Sequence, residues 1–403
     1  MLEHALSPRP TRFRRVVRRI LFLGPGALLL LLLASAASNV GLPRSSSSLE
    51  VPGPRARGHL AEALHLRSTL GDEIWPGFGS TTNPQILYNE GYAFLVGHPD
   101  PPPGWRTRPG GPTLGGPWEP VPGDRFRGEG YYRQRLIPGG PEPQAFTHQV
   151  GDRWAGSIMT QEWARIHLGQ TIRESLPPVL EWIPPYRLLG PLFFRSAEHH
   201  VTLILHEAFH AFQATVAQER FLRAEAATAL EERYPWHDEV QEGAWEEELA
   251  HLADALAADD DEEATNLARR FLEAREARRA GLGRELIRYE REREWLEGGA
   301  KYVELASWRV ADTTEAYRPV EGIRDDGAFH GYERAHRAWQ RELGQLRRSA
   351  GQGETLFYYS GMALGFLLDR FLAGWKRRAM EPGVYFDGLL EEALLPSPGP
   401  ADP

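Results

Sequence analysis

The sequence predicts an α+β fold in which a strand-rich N-terminal part, residues 59–160, precedes a mostly helical C-terminal part, residues 161–403. Two observations carry this expectation. Between about 60 and 160 the apolar residues come in short alternating runs broken by turn signals, the pattern of half-buried strands. From about 162 to 395 the apolar spacing changes to the three-and-four pattern of helices. A chain of 403 residues is long enough to bury a core without staples, and with no cysteine it has no disulfide, no thiol nucleophile and no Cys-held metal.

In the N-terminal part, Gln85–Tyr88, the turn Asn89-Glu90-Gly91 and Tyr92–Val96 read as a hairpin. Gln144–Val150 and Arg153–Thr160, either side of Gly151-Asp152, read as a second. The intervening 98–142 is dense in Pro and Gly and is expected to be a long loop wrapping the surface. In the helical part, Ser196 is a candidate N-cap for a helix from Ala197 to about Gln218 that is apolar on most of its circumference, so it must be buried. The acidic run Asp259–Glu263 suits the positive end of a helix dipole and lacks the spaced ligands of a calcium loop. A charge-studded helix is expected over Arg284–Trp308 and a last one over Gly361–Lys376.

The first 37 residues read as an address. Residues 1–19 carry six arginines against Glu3, a local +5, so the net −9 of the chain leaves −14 for the remainder. Ile20–Ala37 is uncharged, contains a leucine tract and ends in Ala34-Ser35-Ala36. A basic stretch, an apolar stretch and small residues describe a signal peptide, and eighteen residues without a charge can also serve as an uncleaved N-terminal membrane anchor. Either way the body is expected outside the cytoplasm, exported to the periplasm or a similar compartment and possibly held to the membrane by residues 20–37. Residues 38–58, rich in Ser, Pro and Arg, are expected to be a linker. An acidic body lacks the basic footprint of nucleic-acid binding, so no nucleic-acid partner is expected.

The chemistry lies in the buried helix. His206-Glu207-Ala208-Phe209-His210 has the form H-E-x-x-H, which on a helix puts both imidazoles on one face, one turn apart, with Glu207 rotated toward a water on the ion they share. A metal lowers the pKa of its bound water, and the carboxylate takes the proton. Two imidazoles and two acidic oxygens in an otherwise apolar helix are costly to bury without a shared cation. Gln213 and Val216 stand where a longer form of the motif would place Gly and a third His, so a distant carboxylate must complete the site. Glu297 is the leading candidate, because Gly298 and Gly299 beside it let another helix approach closely. Glu242, before Gly243-Ala244, is a rival at shorter spacing.

With Glu297-Gly298-Gly299-Ala300 and the following Tyr302, the chain resembles the gluzincin metallopeptidases, whose H-E-x-x-H helix is followed by a second helix carrying a glutamate, often as E-G-x-A. The resemblance covers His206 to Trp308. It implies His206, His210 and Glu297 as zinc ligands, Glu207 as catalytic base, and a zincin-like fold with the metal between a strand-rich lobe and a helical lobe. The 86 residues between His210 and Glu297 far exceed the spacer of the best-known members, so a helical insertion must loop out and return. Aminopeptidase specificity is not implied, since the G-A-M-E-N signature is missing.

Other residues are assigned on weaker signals. Glu304, two turns after Glu297, is a candidate partner for a ligand His N–H. Tyr358 or Tyr359 could stabilise an oxyanion, or simply pack. His199 and His200 read as packing or capping residues. Arg153–Thr160 could be a sheet edge that binds an extended peptide, or an ordinary half-buried strand. Zinc is the metal that fits two imidazoles, one carboxylate and an open position. The function expected is a zinc-dependent peptidase acting on peptide or protein substrates. The alternatives are a zinc hydrolase or amidase on a non-peptide bond, and a non-catalytic exported metal-binding module.

Overall fold

The computed structural model describes residue 26 and residues 28–178, 180–187 and 196–395. The chain forms two compact units, Ser47–Thr160 with Ser196–Pro403, and Met1–Ser46 with Gln161–Arg195. This division differs from the sequence expectation of a boundary at 160. The strands and the helices that follow residue 195 bury one shared core, whereas 161–195 groups with the N-terminal segment.

In the larger unit the first hairpin forms as expected, β1 (Gln85–Tyr88) against β2 (Tyr92–Val96). Asn89 makes the turn, its side-chain oxygen accepting from the N–H groups of Gly91 and Tyr92 at 2.9 and 2.8 Å. The Pro/Gly segment is more than a wrapping loop. It supplies β3 (Glu119–Pro120) and β4 (Tyr132–Arg135), and it lays Trp105 and Trp118 over one face of the sheet. The second hairpin, β5 (Phe146–Val150) and β6 (Arg153–Met159), completes a sheet of order β3-β4-β2-β1-β6-β5, in which only β1 and β6 run parallel. The reading of 153–160 as a sheet edge is therefore overturned. β6 is hydrogen-bonded on both sides and has no free edge for a peptide. Side-chain alternation splits the sheet between two cores: Leu87, Phe94, Trp154 and Ile158 face the helices, while Ile86, Tyr88, Leu95 and Ala155 face the two tryptophans.

A helix, α1 (Pro54–Ile74), stands where the sequence reading placed the end of a linker and the start of the strand-rich part. Proline at its first turn is tolerated there, and Leu60, Ala63, Leu66, Leu70 and Ile74 form a buried stripe at helical spacing. In the smaller unit, α2 (Gln161–Glu174) joins a helical stretch at 28–38. No described helix is long and apolar enough to cross a membrane. Residues 1–25 and 27, most of the expected address segment, lie outside the described residues.

In the larger unit α3 (Ala197–Val216) begins at Ser196, whose hydroxyl accepts from the His199 N–H at 3.3 Å. The long spacer is helical throughout most of its length. It contains α4 (Gln218–Ala227), then α5 (Glu239–Ala257) paired with α6 (Asp261–Arg279), and then α7 (Arg284–Arg293). Asp260 caps α6, accepting from the Glu262 and Glu263 N–H groups at 2.9 Å each, which is the use the acidic run finds. One wide π turn, Glu294–Gly298, links α7 to α8 (Gly299–Thr313). After α9 (Ala335–Leu346), α10 (Thr355–Phe371) starts earlier than the expected 361, and α11 (Phe386–Ala393) closes the described chain.

Candidate metal centre

α3 is apolar almost all round, so it lies in the middle of the larger unit, and its two histidines are buried. β6 packs directly on it. A side chain at Gly156 would collide with the Glu207 carbonyl, so only glycine allows this approach. On the opposite side comes the π turn carrying Glu297. Gly298 and Gly361 face one another across that turn and α10, and a Cβ on either would strike the other's Cα. The glycine beside the glutamate thus serves a close helix approach, and the approaching helix brings Tyr358.

His206, His210 and Glu297 each offer a donor atom, all within 4.8 Å of one another. The two Nε2 atoms are 3.0 Å apart, and Glu297 Oε2 lies 3.3 Å from each. The other ring nitrogens are already committed. His206 Nδ1 donates to Glu304 Oε1 at 2.7 Å, and His210 Nδ1 donates to Gln213 Oε1 at 2.9 Å. Gln213 cannot turn round, because its amide nitrogen donates to the Trp295 and Leu296 carbonyls at 3.0 and 3.4 Å. With both Nδ1 atoms committed as donors, the two Nε2 atoms and the Glu297 oxygen face one another, and each Nε2 can offer its lone pair there once it gives up its proton. Three buried ligand atoms converging this way need positive charge between them, either a proton or a cation that displaces it, so the residues present fit a divalent metal.

The electrostatics point the same way. Burial pulls the His206 imidazole down, but the hydrogen bonds it donates to Glu297 and Glu304 outweigh it and push it up to about 10, so positive charge is favoured here, whether carried by a ring proton or by a metal ion that replaces it. Burial also works against the charge of Glu297, yet His210, the hydrogen bonds to both imidazoles and Arg293 hold its carboxyl well below the usual range. Arg293 Nη2 binds Glu297 Oε1 at 2.8 Å, which leaves Oε2 facing the histidines. Glu304 is held at about 2 despite its burial, by Lys301 at 2.9 Å and by His206.

Glu207 is half-buried beside the cluster. Burial raises its carboxyl to about 7, against the pull of His206 and His210. The two tyrosines separate. Tyr358 stacks on His206, with ring centroids 5.8 Å apart and planes 11° apart, and its hydroxyl bonds Glu297. Tyr359, one residue on, turns to Glu342 and Lys301, whose Nζ is 5.7 Å from its ring, and so lies with the Glu304 support rather than over the ligands. Glu242 lies on α5 against Gly351, outside the only such cluster among the described residues. His200 Nδ1 meets His59 Nδ1 at 2.9 Å, and His199 faces Glu304 and Lys301. Neither belongs to the metal cluster.

Sequence reading missed Gln213 and Arg293 as orienting partners. Each was within reach of a spacing argument, since Gln213 is three residues after His210 and Arg293 four before Glu297 on continuous helix. The spacer's role was also hidden. Arg275 on α6 forks onto Glu294, the first residue of the π turn, at 3.0 and 2.5 Å, and reaches Glu248 of α5 at 2.7 Å. Ser360 of α10 donates to the same Glu294 at 2.7 Å. The inserted α5–α6 pair therefore grips the turn that presents Glu297.

Replacing Glu304 by glutamine is expected to weaken the binding of a divalent metal by His206, His210 and Glu297 by about 10–100-fold, the usual effect of losing an orienting carboxylate. Competition against a chromogenic chelator measures it, and unchanged affinity would mean that Glu304 does not support His206.

No protein-family model, curated protein or solved structure matches this chain.

Proposed function

We propose that the chain is a zinc-dependent peptidase of the gluzincin type with a zincin-like arrangement of β6, α3 and the ligand helix. The observation that carries this reading is the donor set itself. His206 Nε2, His210 Nε2 and Glu297 Oε2 converge with both Nδ1 atoms committed elsewhere, and an acidic residue that is not a ligand stands beside them. A closed structural site would use four protein ligands and would have no need of a base.

Zinc, when bound, would lower the pKa of a water and polarise the scissile carbonyl. The protein's residues do the rest. Glu207 accepts the proton from the attacking water and delivers it to the leaving amine, and its burial, which raises its carboxyl, favours holding that proton between the two transfers. Tyr358 keeps its proton, because burial and the neighbouring Glu297 raise its hydroxyl far above neutrality, so by turning from Glu297 it can donate that one proton's hydrogen bond to the developing oxyanion. Glu304, Gln213 and Arg293 hold the ligand atoms in direction.

The test is hydrolysis of denatured casein by the purified full-length protein. Activity is expected to vanish on chelation and to return with one equivalent of zinc. Activity that survives complete removal of metal would overturn the reading.

A further inference from the structure

The smaller unit carries a surface that the proposed hydrolysis does not use. Leu28, Leu29, Leu30, Leu31 and Leu33 are 57–69 % exposed, and at 100° per residue the first four point in every direction round their helix. A protein groove would cover one face of such a helix, whereas a helix apolar on all sides suits hydrocarbon. Trp182 and Leu180 of the same unit are exposed as well. The Asn39 side chain donates to the carbonyls of Trp182 and Pro184 at 3.0 and 2.8 Å, and the Ser35 hydroxyl bonds the Ile183 carbonyl, so the end of the leucine helix is tied to the loop that presents Trp182.

The same unit holds a pocket of about 350 Å³, linked to the end of the leucine helix where Asn39 accepts from the Tyr186 N–H at 3.1 Å. Its wall contains Arg44, Arg165, Arg173 and Arg187 and no carboxylate, and Leu42, Ile166 and Ile172 make it apolar between the guanidiniums. Arg173 stacks over Tyr186 at 4.5 Å, and Arg187 is steadied by the Val40 carbonyl at 2.9 Å. Four planar cations around an apolar pocket match a phosphate attached to acyl chains, and tryptophan and arginine are the residues that settle at a bilayer interface.

We propose that this pocket binds the headgroup phosphate of an anionic phospholipid while the leucine helix and Trp182 enter the bilayer beside it. The arginines lie outside residues 1–37, so the contact persists if the N-terminal segment is removed. It gives the unit a lipid-selective attachment of its own and does not depend on the metal centre.

The test uses the full-length protein on vesicles of phosphatidylcholine mixed with phosphatidylglycerol, one lipid or the other carrying brominated acyl chains. The quenching assignable to Trp182 is obtained by difference from Trp182→Phe. Brominated phosphatidylglycerol is expected to be enriched about 5-fold at Trp182, the effect of roughly one additional cation's attraction. The enrichment should fall to unity in Arg173→Gln/Arg187→Gln and persist in Arg173→Lys/Arg187→Lys, which separates lost charge from lost folding. Equal quenching by both lipids would overturn the proposal. So would a Trp182 that no lipid quenches, as when a second copy or another protein covers it, or loss of the enrichment in the lysine variant as well.

Discussion

Glu207→Gln is expected to lower kcat on casein by about 10²–10⁴-fold while the protein keeps one zinc per chain. Glutamine has the shape of glutamate and keeps its hydrogen-bonding reach, but it cannot take a proton from water. Zinc should be retained because Glu207 is not among the three convergent donors and only shares their surroundings. The backbone should be undisturbed, since what β6 packs against at this position is the Glu207 carbonyl, not its side chain. Steady-state kinetics together with metal analysis checks both halves. Full activity with zinc bound would remove Glu207 from the mechanism, and loss of zinc along with activity would recast it as a ligand.

The second large effect is expected from Glu297→Ala, which deletes a ligand outright. Loss of a partner behind a ligand costs about 10–100-fold in affinity, so loss of the ligand itself should exceed about 100-fold and leave the purified protein nearly free of zinc. The substitution also strips Arg293 of one of its two carboxylates, the other being Glu354 at 3.2 Å, so some loss of thermal stability is expected as well. Glu242→Ala, made at the rival position, should leave zinc binding unchanged. Competition titration on the two variants decides between them, and the reverse outcome would move the third ligand to α5.

These two expectations rest on the part of the molecule that was most legible. α3 could be placed because Ser196 caps it and its apolar residues run round the helix, which leaves two histidines and a glutamate needing a shared reason for burial. Glu297 was legible through the glycines next to it, and the close approach they predict is made by α10 at Gly361.

Three features were hidden for physical reasons. Arg275, Arg278 and Arg279 on α6 look like a solvated face in sequence, yet all three are buried in a network with Glu248, Glu290, Glu294 and Asp387, and charge composition alone does not reveal such pairing. The π turn is a local widening of a helix whose residues would fit an ordinary one. Tyr358 and Tyr359 differ by one 100° step, so only the rotation of α10 against the π turn decides which faces His206. α1 escaped notice for a simpler reason: its buried stripe follows a Pro- and Arg-rich stretch that resembles a linker.

The most direct test of the central claim is an anomalous difference map at the zinc absorption edge from crystals of the protein purified without chelator. One peak is expected, bounded by His206 Nε2, His210 Nε2 and Glu297. No peak there, or a peak held by other residues, would contradict it.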